Sequence, residues 1–486
     1  MGIILGTALC LTMGYLVVAF FWPQGGNSSL EPLLKLCLAI GFGLGTFSVL
    51  FVVERLLGIS RIAATDLCVA SALFVLYLLL RNRTVPFQPI TEIPDFHFPH
   101  LTNLVLKTSF ALAMVAALYA AVCRTLAYAH GEGWDAFAIW NLHARFLFLG
   151  GSHWRDGFAA LIPWSHPDYP LLVPGATAHL WAYLGRDRTA VPAGIGLAFT
   201  LSTIGLLISS LRILRGWNSA MLGGITLAST PLFIQQGTSQ YVDVPLSFFM
   251  LASIALLHMA QQRSTDSHKP RSFVILTGLA AGFAAWTKNE GLLFLIAIVT
   301  AQVVTTIARR RTKSDVSEKV ALATLLLAVT PVLLFIAWFK HSIVPRGDLF
   351  SNSADVAHKL LVPARYWIVL QWYAKEFFRF GSWWIVPGTV ALLIFYLLSL
   401  KPDVRRNDRT LQCSVFTLGL TLAGYFAIYV ITPRDIYWHL RFSLNRLFLQ
   451  LWPSVIFLFF LFLFGGRQES ASTSKSVEIS ENRSNC

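Results

Sequence analysis

GWDAFAIWNLHARFLFLGG (residues 133–151) and SHPDYPLLVPG (residues 165–175) lie in one polar stretch, residues 124–174, that interrupts a nearly continuous series of apolar segments. Apolar segments of about 17 residues or more are long enough to cross a bilayer as helices. Because a bilayer excludes polar groups, the histidines, tryptophans and charged residues of this stretch indicate a binding or reaction site at a membrane face. The sequence therefore predicts a multi-pass membrane protein with one functional face.

The composition of the 486-residue chain supports this interpretation. Hydrophobic residues make up 55% of the chain and charged residues only 13%, and the mean hydropathy is +0.62. This is more apolar surface than a soluble globular protein buries. The formal net charge is +14, but the basic residues lie in short loops between apolar segments, where cytoplasmic anchoring accounts for them. Nucleic acid is therefore not an expected partner.

The apolar segments predict an all-α polytopic fold with about thirteen transmembrane helices. They lie near residues 2–22, 33–53, 62–80, 104–122, 189–211, 217–235, 242–260, 272–286, 291–308, 320–341, 384–400, 411–431 and 447–465. The apolar piece at residues 171–184 is ambiguous, since counting it as a span would invert every later loop. As a juxtamembrane helix against the bilayer face, it leaves the basic clusters at residues 81–83, 212–215, 263–271, 309–313 and 401–409 on one side, as the positive-inside rule requires.

Three regions follow from this topology. Residues 1–100 are expected to form an N-terminal three-helix membrane extension, and residues 101–466 a transmembrane catalytic module whose first extracytoplasmic loop is residues 124–188. Residues 467–486 are rich in Ser, Glu and Asn and predict a disordered cytoplasmic tail. Two further loops, residues 341–383 and 432–446, and the turn at residues 288–290 are expected on the outer side.

Three acids of the outer face are candidates for chemistry. Asp135 opens an amphiphilic segment that ends in two glycines, so it is either a helix N-cap or a catalytic carboxylate. Asp243 is a lone acid at the mouth of a span; it either caps the helix before Pro245 or has a functional partner. Asp168 lies among prolines and either orients a substrate or shapes a rigid turn.

Several cations lie on the outer side, where anchoring does not require them. Lys288 either meets an anionic headgroup or pairs with Glu290. Arg441 and Arg446 lie in TPRDIYWHLRFSLNR (residues 432–446) with His439, and guanidinium groups suit phosphate because they bind it bidentately. The histidines at 143, 153, 166 and 179 lack metal-ligand spacing, so they indicate a metal site only weakly, and most of them are expected at the interface.

The order of these motifs resembles the GT-C glycosyltransferases, and within them the family 39 and RgtA/B/C/D-like type, with protein O-mannosyltransferases and lipid A aminoarabinose transferases. The matching pieces are an early loop acid, an HP-x-YP sequence before a juxtamembrane helix, an acid opening a later span, and the hairpin GLAAGFAAWTKNEGLL (residues 278–293). The chain differs in having Asp-Ala where many members have Asp-Glu, in its extra N-terminal helices and in lacking a large soluble C-terminal domain.

The resemblance implies a membrane glycosyltransferase that moves a hexosyl or pentosyl group from a polyprenyl-phosphate donor to an extracytoplasmic lipid, glycan or protein. It implies catalytic roles for Asp135 and Asp243. Substrate contacts are expected from Asp168, Tyr169, His166, Lys288, Arg441, Arg446 and His439. No cofactor is predicted and the use of a divalent metal is left open. A bacterial cytoplasmic membrane is the expected location, and a transporter or lipid flippase is the alternative function.

Overall fold

The computed structural model describes residues 1–22, 29–80, 99–262, 271–308, 315–345, 353–383, 388–398 and 409–463. Within these ranges every regular element is a helix, as the sequence predicts. The α-helices are α1 (Gly2–Phe21), α2 (Glu31–Leu57), α3 (Ile62–Leu80), α4 (His100–Ala127), α5 (Asn141–Leu149), α6 (Leu172–Leu184), α7 (Ala190–Arg215), α8 (Trp217–Ala228), α9 (Pro231–Thr238), α10 (Asp243–Gln262), α11 (Arg271–Thr287), α12 (Asn289–Ile307), α13 (Asp315–Ser342), α14 (Ser353–Leu360), α15 (Pro363–Arg379), α16 (Gly388–Leu398), α17 (Arg409–Ile431) and α18 (Ile436–Leu463). The all-α polytopic fold is confirmed.

Ten of the described helices are long and apolar enough to cross a membrane: α1, α2, α3, α4, α7, α10, α12, α13, α17 and α18. The other predicted spans take different forms. Residues 217–235 are divided between α8 and α9, and residues 272–286 form the 17-residue α11. At residues 384–400 the described part is the 11-residue α16. The tail at 467–486 and most of the basic clusters lie outside the described residues.

The division between α8 and α9 comes from a proline. Pro231 begins α9, and Thr230 before it has an extended backbone (φ −81°, ψ 106°), because the proline ring disfavours helical geometry in the preceding residue. Neighbouring segments satisfy the polar groups at the break. Leu232 N–H donates to the Gly381 carbonyl at 3.2 Å, and Trp452 Nε1 donates to Thr230 Oγ1 at 3.0 Å. Buried protein surroundings therefore make this interruption tolerable.

The segment 432–446 is mostly helix, so its prediction as a loop is wrong, while its location on the outer side stays a prediction. α18 begins at Ile436, and Asp435 Oδ1 accepts a hydrogen bond from the Trp438 backbone N–H at 2.8 Å. This is an N-cap bond, which satisfies a helical N–H that has no partner within the helix. The helix start places His439, Arg441 and Arg446 on successive turns of one rigid element.

The juxtamembrane helix α6 does not lie on an open bilayer face, and that expectation is corrected. Ten of its residues are buried: Leu172, Val173, Pro174, Gly175, Ala176, Thr177, Ala178, His179, Leu180 and Trp181. It packs against α2, α5 and α7, and Ser48 Oγ of α2 donates to the Leu171 carbonyl at 2.7 Å. Apolar residues lie on every side of α6, so this helix needs packing partners on every side. The N-terminal helices α1 and α2 provide part of that packing.

The N-terminal helices are continuous with the rest of the bundle. A Cβ on Gly14 of α1 would overlap the carbonyl oxygen of Ala39 in α2. The absence of a side chain at Gly14 therefore allows the two helix backbones to touch. Trp286 Nε1 of α11 donates to Ser48 Oγ of α2 at 3.0 Å. The proposed boundary near residue 100 stays a prediction, and α2 contacts α6, α7 and α11 beyond it.

Candidate active site

Arg446 joins the two acids that the sequence singled out. Its Nη1 lies 2.7 Å from Asp135 Oδ2, and its Nε and Nη2 each lie 2.8 Å from Asp243 Oδ2. The first acid follows α4 and the second opens α10, more than one hundred residues later. Loop 124–188, the start of α10 and the first turns of α18 therefore meet at one end of the bundle.

Asp243 is a fully buried carboxylate with a complete set of donors. Its side chain is 0% exposed, and besides Arg446 it accepts from Lys288 Nζ at 3.1 Å and from Gln450 Nε2 at 2.6 Å. Tyr425 in turn donates to Gln450 Oε1 at 2.7 Å, which fixes the amide orientation. Two cations and an amide offset the cost of burying this charge. The arrangement suits a residue that positions cations.

Asp135 has a more open environment. Its side chain is 23% exposed, and it precedes a π-helix, Ala136–Trp140, that leads into α5. The side chain makes no capping hydrogen bond to this helix. The geometry therefore does not support the interpretation of Asp135 as an N-cap. One carboxylate oxygen binds Arg446, which leaves lone pairs free to accept a proton from a bound group.

Lys288 stands in the turn between α11 and α12. Its Nζ bonds Asp243 and also lies 2.8 Å from Glu290 Oε1, so the expected pairing with Glu290 is present. A Cβ on Gly291 would overlap the carbonyl oxygen of Ala284, which lets the two helices close tightly. Burial lowers the pKa of Lys288, and the charges of Asp243 and Glu290 raise it by more, to above its ordinary value. The ammonium stays charged.

Asp168 is held by the same turn. Asn289 Nδ2 donates to Asp168 Oδ2 at 2.8 Å, and Lys340 Nζ donates to the Asp168 carbonyl at 2.9 Å and to Asn289 Oδ1 at 2.8 Å. The HP-x-YP segment is therefore fixed to α12 and α13. Both the carboxylate and the backbone of Asp168 are used, which fits a residue that orders its loop.

Tyr169 is the centre of an aromatic stack. Its ring stacks on Trp140 at 5.4 Å and on His166 at 4.7 Å, and Lys288 Nζ lies 6.0 Å from its centroid. Desolvation, and then the charge of Glu290, raise the pKa of Tyr169 well above its ordinary value. The hydroxyl stays protonated and can donate a hydrogen bond.

The remaining candidates lie at the rim or on other faces. Arg434 Nη2 is 3.3 Å from His166 Nε2, which brings a further cation to the Tyr169 stack. His439 Nδ1 is 2.8 Å from Thr432 Oγ1, so this ring holds the turn before α18. Arg441 is exposed and lies over the Phe442 ring at 5.8 Å. The structure thus brings Arg446 to the acids and leaves Arg441 on another face of the helix.

Four residues of this cluster were not predicted as site residues from the sequence: Glu290, Asn289, Lys340 and Gln450. Glu290 was identified only as a partner of Lys288, and Asn289 was noted only as part of the same turn. Gln450 lies in the middle of the long apolar helix α18, and a polar residue deep in an apolar span is the signal that would have found it. Lys340 lies in the last turn of α13, where a basic residue is common. Among the described residues, the one group of His, Cys, Asp or Glu spaced to hold a metal is Glu54, Asp66 and His179, outside this cluster.

Residues 166–335 match the model of the family described as dolichyl-phosphate-mannose-protein mannosyltransferase. The matched region begins at the HP-x-YP segment and runs through α10 and the α11–α12 turn, so it includes His166, Asp168, Tyr169, Asp243 and Lys288. No curated protein and no solved structure matches the chain. The match confirms the resemblance predicted from the sequence. Together with the helical bundle, it supports an integral, multi-pass membrane glycosyltransferase of the GT-C type.

Proposed function

We propose that this membrane glycosyltransferase takes a hexosyl or pentosyl group, mannose being the first candidate, from a polyprenyl-phosphate donor and transfers it to a hydroxyl of an extracytoplasmic lipid, glycan or protein. The observation that carries the proposal is the bridge of Arg446 between Asp135 and Asp243. It joins the accessible carboxylate of Asp135 to a cation, and the same cluster contains Asp243 and Lys288 of the family-matched region. A bacterial cytoplasmic membrane with this end facing outward is the proposed location.

Asp135 is the proposed general base. The acceptor hydroxyl must lose its proton as it attacks the anomeric carbon, and a carboxylate within hydrogen-bond reach can take it. Asp135 is partly exposed and has free lone pairs, whereas Asp243 is fully buried and saturated by donors. The two acids therefore have different tasks: Asp135 faces the reactants and Asp243 positions Arg446 and Lys288.

Arg446 and Lys288 are the proposed partners of the departing phosphate. Transfer of the sugar breaks the anomeric C–O bond and leaves the electron pair on the lipid phosphate, whose added negative charge needs nearby cations. Arg446 is 14% exposed on its side chain and presents a planar group that binds phosphate bidentately. Arg434, near His166, supplies positive charge at the rim.

Arg441 is five residues before Arg446 on α18, which is about 140° around a helix of 3.6 residues per turn. The two guanidinium groups therefore point in different directions. We therefore assign the contact with the reacting phosphate to Arg446 and not to Arg441. Arg441 would contact the lipid donor at the protein surface. There its positive charge would matter, and the bidentate geometry of its guanidinium group would not.

The transporter or flippase alternative expects ionisable groups near the middle of the membrane along a substrate path. In the described residues, Asp243 and Lys288 of the cluster around Arg446 lie instead where α10 and α12 begin, and Arg446 reaches them from the third turn of α18. A surface reaction requires that placement.

Mass spectrometry of cell-envelope glycans and lipids, with and without the protein, tests the proposed function. Loss of one sugar residue from a lipid, glycan or protein is expected. Complementation with the wild-type chain should restore the sugar, and complementation with the Asp135→Asn chain should not. Unchanged glycans together with altered sidedness of a polyprenyl lipid would contradict the proposal and favour the flippase.

A further inference from the structure

A second buried group of charged side chains lies where α2 and α3 meet α6. Glu54 is in the last turn of α2, Asp66 is near the start of α3 and His179 is in the middle of α6. Each of the three is 0% exposed, and their potential ligand atoms lie within 4.8 Å of one another. None of them takes part in the cluster around Arg446, so the proposed transfer reaction leaves this group without a task.

The hydrogen bond of one ring nitrogen fixes the state of His179. Its Nδ1 lies 3.0 Å from the Phe47 carbonyl oxygen, and because a carbonyl only accepts, Nδ1 carries the hydrogen. In a neutral ring, Nε2 then carries no hydrogen and presents a lone pair as an acceptor. It faces Asp66 Oδ2 at 2.8 Å and Glu54 Oε2 at 3.9 Å. Three acceptor atoms directed at one another repel unless a proton or a metal cation lies between them.

A single proton does not satisfy this group. Both carboxylate oxygens of Glu54 and Oδ1 of Asp66 are buried without a hydrogen-bond donor among the described residues. Arg55, the nearest cation in sequence, lies over the Phe51 ring at 4.9 Å. Protonating His179 gives Asp66 a donor but leaves both oxygens of the Glu54 carboxylate without a hydrogen-bond donor, and a buried carboxylate without donors is costly.

We propose that Glu54, Asp66 and His179 bind a divalent transition-metal ion of the Zn²⁺ class. Two carboxylates and a neutral imidazole balance its charge, and mixed nitrogen and oxygen ligands favour Zn²⁺ or Mn²⁺ over Mg²⁺ and Ca²⁺. Ligands at about 2.1 Å from one ion are at most about 4.2 Å apart, so small side-chain rotations complete the site. Tyr183 donates to Asp66 Oδ2 at 2.6 Å and orients that carboxylate, as outer partners of metal ligands do.

The position of this site indicates a structural role. α6 directly follows the segment that carries Asp168 and Tyr169, and the ion would tie this helix to the turn between α2 and α3. A cavity of about 660 Å³ beside this site is lined by Glu54, Arg55, Trp154 and Arg155, and the Glu54 side chain itself is 0% exposed. Removing the ion should therefore loosen α6 first and slow sugar transfer only as a consequence.

Metal analysis of the full-length, tag-free protein in detergent tests the proposal. After chelation and dialysis against Zn²⁺, the wild-type chain should hold about one ion per molecule, and the ion should raise the unfolding temperature by several degrees. Glu54→Gln and Asp66→Asn, which keep the side-chain shape, should lose both effects. Asp156→Asn is the matched control, since Asp156 is an exposed acid 3.6 Å from His153, and it should bind Zn²⁺ as the wild type does.

Two outcomes would overturn the site. One is a chelated wild-type protein that takes up no Zn²⁺ and gains no stability from Zn²⁺ or Mn²⁺; this measurement decides the matter even if the variants fail to fold. The other is equal Zn²⁺ content in Glu54→Gln, Asp66→Asn and the wild type, which would place the ion elsewhere. Asp135→Asn should keep the ion, which separates this site from the proposed transfer site.

Discussion

Two buried charge clusters of this protein contrast in how their carboxylates are neutralised. Around Asp243, the chain itself supplies the cations, from Lys288 and Arg446. Around Glu54 and Asp66, the described chain supplies one imidazole and leaves carboxylate oxygens without donors. Protein cations that already have partners can exchange them for a phosphate, whereas buried carboxylates without donors favour a proton or a metal ion from solution. The first cluster therefore suits a reaction and the second suits a resident ion.

Asp135→Asn should have the largest effect on the first cluster. The amide keeps the size of the side chain and its contact with Arg446, but it cannot accept the hydroxyl proton. We expect transfer to fall by about 10³-fold, within the range that general bases contribute, with normal folding and membrane insertion. Turnover of a polyprenyl-phosphate sugar by purified variants measures this. Activity near the wild-type value would assign the base role elsewhere and make Asp243 the first candidate.

Asp243→Asn should act on stability as well as on activity. The change leaves Arg446 and Lys288 with one buried counter-charge fewer, and breaking a buried ion pair costs about 3–5 kcal/mol. A lower unfolding temperature together with lost turnover is expected, in contrast to Asp135→Asn. Thermal unfolding in detergent distinguishes the two variants, and equal stability of both would remove the proposed division of tasks.

Arg446→Lys should slow transfer by about 10- to 100-fold, because a lysine cannot bind a phosphate bidentately. Arg441→Lys, on another face of the same helix, should have a smaller effect, since only charge matters there. The comparison separates fork geometry from charge on one helix. Donor titration in nanodiscs gives KM and kcat for each variant, and equal losses from both would show that Arg446 has no special contact with the phosphate.

His143 should make the stability of the protein depend on pH. Its ring is buried, and burial, followed by the charge of His166, lowers the pKa of His143 from 6.5 to about 3. The unfolded chain binds the proton more tightly, so stability is fully present above pH 6.5 and falls as the pH drops from 6.5 towards 3. The slope should reach about 1.4 kcal/mol per pH unit.

Unfolding measured between pH 7 and pH 4 tests this in wild type and in His143→Gln, which has no group to titrate. The variant should have a shallower pH dependence than the wild type. Parallel curves would show that His143 is not held neutral in the folded protein.

The sequence anticipated the first cluster better than the second for a physical reason. Asp135, Asp243 and Lys288 stand where apolar segments end, and a charge at such a boundary is visible without a fold. Glu54, Asp66 and His179 also lie near helix ends or in a short helix, but their meaning depends on α2 and α3 covering α6. That packing has no periodic signature in the sequence. Because the cover by α2 was not foreseen, α6 was expected to lie on the bilayer face.

Local chemistry explains the other differences. The α8–α9 break was readable from Pro231, since the residue before a proline avoids helical geometry. The early start of α18 was readable from Asp435 as an N-cap. Gln450 could be noticed in its apolar helix, but its bond to Asp243 follows from the packing of α18 against α10, which no local pattern specifies.

The cluster around Arg446 is proposed to break the sugar–phosphate bond of a lipid donor. In the direct measurement, the purified protein in nanodiscs is incubated with polyprenyl-phosphate mannose and an acceptor that carries a hydroxyl group, and the lipid is followed by mass spectrometry. Wild type is predicted to release polyprenyl phosphate and mannosylated acceptor in equal amounts, and Asp135→Asn to release neither. An intact donor that the wild-type protein only moves between leaflets of a proteoliposome, equally well with Asp135→Asn, would contradict the account.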